Sequence, residues 1–230
     1  MSTLLGLLAE TPVAAEQPRV TPIRERVQRT EISPSSSVRD EQIHALVQKL
    51  FFAHETRLVR HVAFVTADAS TETADICLDV ARALSEEDRY DIAIIDAGSD
   101  SASLQTKLQI PSPSRVEGSW LVEPQLWMVP RHSWLPVNSG GRITHQNLSR
   151  LRELTAEFDF SVLWCAPFSW LTASIGQICD GLVLVLSANK TRRIVAAQIK
   201  DQLRKAQVPL LGTVLADRRF PVPQSLYRSL

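Results

Sequence analysis

The segment His61–Leu84, HVAFVTADASTETADICLDVARAL, decides the reading of this chain. It opens with a short apolar run, Val62, Ala63, Phe64 and Val65, passes through a polar turn, and continues with apolar residues at helical spacing, Ile76, Cys77, Val80, Ala81 and Leu84. Strand, loop and helix in that order place backbone N–H groups at a helix N-terminus, where they can hold an anion such as phosphate. A phosphate-binding loop at this place needs glycines for close backbone approach and a lysine for charge. Here the loop reads Ser70, Thr71, Glu72, Thr73, Ala74, Asp75, with neither. Glu72 puts a carboxylate where the anion would lie. The architecture is written, and the chemistry is missing.

Working outward, the same alternation continues. Tyr90–Asp96 is an apolar strand that ends in an acid, and continuous apolar runs suit strands covered on both faces. A stretch rich in Ser and Pro follows, from Gly98 to about Gly118, and then a strand is predicted at Gln125–Val129. Trp120, Trp127 and Trp134 recur every seven residues, but Pro124 and Pro130 between them argue against one helical face, so they read as separate core or lid anchors. Beyond them the pattern predicts a helix over 144–157, a strand over 160–165, a helix over 171–179, a strand over 181–186, a helix over 191–206 and a strand over 210–215. Helices alternating with strands at this length imply an α/β fold, a parallel sheet with helices on both faces. Upstream, Asp40 is placed to cap a helix carrying Ile43, Leu46, Val47, Leu50 and Phe51.

Residues 1–37 hold Pro12, Pro18, Pro22 and Pro34 and the run Ser35–Ser37, which reads as a flexible tail before a single domain at 38–230. Leu4, Leu5, Leu7 and Leu8 make an apolar patch without the basic flank of a signal peptide; a frayed terminus and a short docking peptide both remain open. Twenty-five basic residues balance twenty-five acidic ones across 230, so no overall field favours nucleic acid or an acidic membrane, and a local patch stays open. No segment approaches the ~20 apolar residues of a membrane span. Cys77, Cys165 and Cys179 lack metal-like spacing and read as buried, reduced thiols of a cytoplasmic protein. The five histidines show no zinc spacing, and no nucleophile elbow is present.

Several stretches together carry a resemblance. Phe158–Pro167 (FDFSVLWCAP), Cys179–Leu186 (CDGLVLVL), Asn189–Arg193 (NKTRR), Val208–Leu215 (VPLLGTVL) and Phe220–Leu230 (FPVPQSLYRSL) occur in the order and spacing of the cytoplasmic domain of bacterial tyrosine kinases that regulate capsule and exopolysaccharide synthesis. Those kinases are relatives of the MinD/ParA P-loop ATPases. With the opening helix, the resemblance spans about residues 40 to 230. It implies a P-loop NTPase fold, and its departures fall on the chemistry. The family's glycines would lie near Ser70 and Glu72, its lysine near Thr73, and its magnesium-binding hydroxyl near Ala74 or Asp75. The second acidic motif keeps Asp96 but has Gly98 for its other acid, and the third has Trp164, or Cys165 in a shifted register, for its acid. A terminal tyrosine cluster is absent, since the chain has only Tyr90 and Tyr227, and the ring-forming frame of the first helix reads Glu41, His44, Val47.

The resemblance therefore implies a non-catalytic member with no cofactor and with ATP-Mg disfavoured. It would regulate capsule or exopolysaccharide synthesis or export by docking to a membrane co-polymerase or a kinase paralogue, and it would be cytoplasmic or held at the inner membrane face through that partner. Two alternatives stay open: an active autokinase or ATPase with relocated site residues, drawing on Lys49, Lys107 or Lys190, none of them placed in the cradle, and a ParA/MinD-like positioning protein. Oligomer formation is open as well. Asp96 reads either as a residual metal or water ligand or as a cap on the turn after its strand. Lys190, Arg192 and Arg193 open a helix, where cations oppose the dipole, and Arg218 and Arg219 follow the last strand; both groups are candidate partner or anion contacts.

Overall fold

A computed structural model describes residues 36–53, 58–68, 73–86, 89–98, 104–108, 118–136, 143–188 and 190–216. Seven strands form one sheet: β1 (His61–Thr66), β2 (Ile92–Ala97), β3 (Trp120–Glu123), β4 (Leu126–Val129), β5 (Phe160–Cys165), β6 (Gly181–Ser187) and β7 (Leu210–Ala216). Their spatial order is β3-β4-β2-β5-β1-β6-β7, all parallel except β3, which pairs antiparallel with β4. The helices are α1 (Ser36–Val47), continued by a π-helical turn over Gln48–Phe52, then α2 (Thr73–Ser85), α3 (Leu104–Lys107), α4 (His145–Ala156), α5 (Trp170–Ile178) and α6 (Arg193–Lys205).

Side-chain alternation along each strand divides the core in two. On one face Val62 and Phe64 of β1, Ile92 and Ile94 of β2, and Phe160, Val162 and Trp164 of β5 pack under α1, the π-helical turn, α2 and α3. Phe160 collects edge-on contacts from Phe51, Phe52 and Tyr90, with ring centroids 5.0–5.8 Å apart. On the other face Ala63, Val65, Ala93, Ile95, Leu163, Leu182 and Leu184 lie beneath Leu151 and Leu154 of α4, Ile175 of α5, and Ile199 and Leu203 of α6. Each large aliphatic side chain so buried stabilises the fold by about 1.5–3 kcal/mol. The strands predicted as continuous apolar runs are buried on both faces for this reason.

Local signals set the boundaries. Thr144 caps α4: its Oγ1 accepts from Asn147 N at 3.3 Å, while Asn147 Oδ1 accepts from Thr144 N at 2.8 Å. At the edge where the parallel strands begin, Asp180 Oδ2 accepts from the N–H groups of Arg60 (2.8 Å) and His61 (3.0 Å), and Asp159 Oδ2 accepts from Asp91 N (3.0 Å). The Asp180 carboxylate ties the start of β6 to that of β1, and the Asp159 carboxylate ties the start of β5 to that of β2.

Three sequence expectations need correction. The first helix starts at Ser36, so Asp40 lies inside α1 rather than capping it. The Ser/Pro-rich stretch contains α3, anchored by buried Leu104 and Leu108. Strand β3 went unread because it is four half-buried residues at the sheet's rim, without the apolar run of a central strand. The three tryptophans are indeed separate anchors: Trp120 and Trp127 lie on neighbouring strands, and Trp134 is buried after the short 3-10 turn at Arg131–Ser133. The expected tail, up to residue 35, lies outside the described residues.

Candidate functional site

The parallel strands point their C-terminal ends to one edge, the place where open α/β sheets bind ligands. Strand β1 ends there and leads into α2. Ser70, Thr71 and Glu72 lie outside the described residues, while Thr73 and Ala74 are buried in the first turn of α2 and Asp75 is half-buried. Asp75 is not free to meet a ligand, because Lys107 Nζ of α3 reaches its Oδ1 at 2.5 Å. Lys107 arrives at the first turn of α2 from 32 residues away in sequence, and its charge is met by Asp75.

The end of β2 carries Asp96, which is 2% exposed. Its Oδ1 accepts from Gly98 N at 3.0 Å and its Oδ2 from Leu104 N at 3.1 Å, while Trp134 Nε1 donates to its carbonyl oxygen at 3.0 Å. Both carboxylate oxygens thus hold the chain between β2 and α3, the turn-capping role.

Beside it, β5 places Trp164 directly across from Asp96, with Phe64 of β1 on its other flank. Trp164 is 8% exposed, and its ring lies against Gly98 so closely that a Cβ there would stand 2.3 Å from the nearest ring carbon. The two positions expected to carry acids are therefore a packed pair, an indole on a bare backbone. A side chain at 98 would force the ring or the turn to shift. The neighbouring Cys165 points to the opposite face. Burial, aided by the charge of Asp96, pushes its thiol up to about 12, so it stays protonated at neutral pH and is no ready ligand. Among the described residues, no three His, Cys, Asp or Glu side chains come together to hold a metal ion.

Further along the same edge, the turn between β6 and α6 folds back on the loop after β1. Thr191 Oγ1 donates to Asp68 Oδ2 at 2.8 Å and accepts from Ser187 N at 2.9 Å. Thr66 Oγ1 donates to the carbonyl of Asp68 at 2.7 Å. Lys190, Arg192 and Arg193 are exposed on this turn. Arg218 and Arg219 lie outside the described residues. The structure brings Thr73, Ala74, Asp75, Asp96 and Trp164 together around the ends of β1, β2 and β5, and sets the basic turn at the end of β6.

No protein-family model matches the chain, and no curated protein matches its sequence. Solved structures do match its shape. The chimerical protein CapA2B2 aligns with a TM-score of 0.60 at 18% identity, over 80% of this chain and 84% of that one. The kinase domain of the Escherichia coli tyrosine kinase ETK aligns with a TM-score of 0.59 at 17% identity, over 87% and 88%. The fold is that of bacterial tyrosine-kinase domains. A ParA family ATPase from Chlorobium tepidum shares it at a TM-score of 0.57 and 15% identity, over 74% and 78%. Among the described residues, this kinase-like sheet keeps Asp96 at its ligand edge and packs Trp164 on Gly98 beside it.

Proposed function

We propose that this chain is a non-catalytic, tyrosine-kinase-like P-loop protein that regulates bacterial capsule or exopolysaccharide synthesis by docking to a membrane co-polymerase or an active kinase paralogue. The observation that carries this reading is the Trp164–Gly98 contact beside an Asp96 whose carboxylate is spent on backbone N–H groups. A metal-nucleotide site needs acids that are open to water and cation. Here an indole packs on Gly98 beside Asp96, and Lys107 is paired with Asp75. The pathway is carried over from the sequence resemblance, and the kinase domains that share the fold support the kinase-like part of the reading.

Calorimetric titration of the full chain with ATP-Mg, together with capture of partners from native cells, tests the reading. The expected result is no saturable nucleotide binding at physiological concentrations, with a polysaccharide co-polymerase or kinase recovered. Tight magnesium-dependent binding with turnover would overturn it and favour a working kinase that uses Lys107. That second reading rests on the reach of Lys107 to the first turn of α2, and Lys107→Ala would then abolish the binding. Recovery of chromosome- or pole-positioning components in place of polysaccharide machinery would instead favour the ParA-type reading.

A further inference from the structure

The ligand edge has a second half, from β5 across β1 and β6 to β7, and on it several large apolar and basic side chains are exposed. Trp170 opens α5 and is 70% exposed, Ile194 stands at the start of α6 at 64%, and Leu215, near the end of the outer strand β7, is 54% exposed. Leu215 lies across from Leu186, whose side chain belongs to the α4–α5–α6 face, so all three apolar residues share one face as well as one edge. Strands about 4.8 Å apart put β5 and β7 about 14 Å from each other. Between the apolar tips stand Lys190, Arg192 and Arg193, and among the described residues neither arginine has an acidic partner. The acids Asp91, Asp159 and Asp180 sit at the opposite edge of the sheet, and on the rim itself the carboxylate of Asp68, which accepts from Thr191, stands against the three basic residues. A chain with no net charge is thus basic where it is also apolar.

We propose that this rim is a contact surface for an anionic lipid bilayer. Three apolar side chains protrude singly from two helix starts and a strand, and they match the depth of a headgroup layer better than a groove for a peptide. Tryptophan favours the membrane–water interface, and arginine can lay its stem on apolar surface while its head meets phosphate. The two arginines oppose the dipole of α6 when water alone surrounds them, and lipid phosphates relieve that cost. The contact does not depend on the missing nucleotide chemistry, so it stands or falls separately from the function proposed above.

The test is sedimentation of the full chain with phosphatidylcholine vesicles, with and without phosphatidylglycerol. Binding is expected only with phosphatidylglycerol and is expected to weaken as salt rises. Each basic residue near an anionic surface contributes about fivefold in affinity, so Arg192→Gln with Arg193→Gln should weaken binding about 25-fold. Trp170→Ala with Ile194→Ser should weaken it severalfold while leaving the thermal melt unchanged, because both side chains are exposed. Substituting Leu4, Leu5, Leu7 and Leu8 by serine should leave binding intact. Three results would overturn the proposal: equal binding to neutral vesicles or none to anionic ones, loss of binding only in the leucine variant (assigning it to the N-terminal segment), or rim variants that lose a protein partner but keep the vesicles.

Discussion

The two halves of the ligand edge dispose of their polar groups in opposite ways. Around β2 and β5 the side chains are taken up by one another and by backbone: Asp96 by Gly98 and Leu104, Trp164 by Gly98, and Lys107 by Asp75. Around β6 and β7 the arginines and the large apolar side chains face solvent. The contrast teaches that one edge of a sheet can be shut by packing at one end and left open at the other. A closed half should respond to substitution through stability, and an open half through binding.

The largest effect should come from the packed indole. Trp164→Ala should destabilise the protein by about 3–5 kcal/mol in urea unfolding. If the space it leaves admitted ATP-Mg in calorimetry, the indole alone would be the block, and the comparison would sharpen to one residue. Gly98→Ala should cost about 1–3 kcal/mol, since the added methyl overlaps the ring. In the Trp164→Ala background that cost should largely vanish, a coupling measurable by a double-mutant cycle. Full additivity would show that the two residues do not share one space.

Asp96→Asn should cost about 1–3 kcal/mol, because an amide nitrogen cannot accept from Gly98 N or Leu104 N and one buried donor is left unmatched. Retention of full stability would mean that the carboxylate is held for something other than the turn.

At the edge where the strands begin, His61 offers a pH test. Its Nδ1 lies 2.8 Å from Ser161 Oγ, and burial lowers its pKa, opposed by Asp180 and assisted by Arg60. The unfolded chain therefore takes up the proton at a higher pH than the folded one, starting near the ordinary value of about 6.5. Stability should be level above that pH with respect to this group and fall as the pH drops from there through the folded value. His61→Asn should flatten the drop in a series of thermal melts from neutral to mildly acidic buffer. The smallest effect belongs to Lys107→Met: its ion pair with Asp75 is half exposed and should contribute no more than about 1 kcal/mol.

The central strands were legible because burial on both faces writes itself as unbroken apolar runs, as in Ile92–Ile95 and Leu182–Leu186. Helix α2 was legible from its helical spacing of apolar residues. What sequence could not give were pairings between distant residues. Nothing local to Lys107 marks Asp75 as its partner, and nothing near Asp68 points to Thr191, 123 residues away. Strand β3 and helix α3 were missed because four residues carry too little periodicity to stand out from a Ser/Pro-rich background. The open half was readable only as a basic turn, since exposure of Trp170 or Leu215 depends on what packs beside them.

The cysteines give the two-layered core an experimental use. Cys77 is buried in the layer under α1 and α2, and Cys165 in the layer under α4, α5 and α6. Burial holds both thiols well above their ordinary range, so neither is a nucleophile while its layer is shut. An alkylating reagent will therefore meet each sulfur only during an opening event. The rate at which each is tagged, read peptide by peptide in a mass spectrometer, times the breathing of one side of the sheet against the other. Nature has left a clock on each face, and any partner that clamps one side should slow one clock and let the other run.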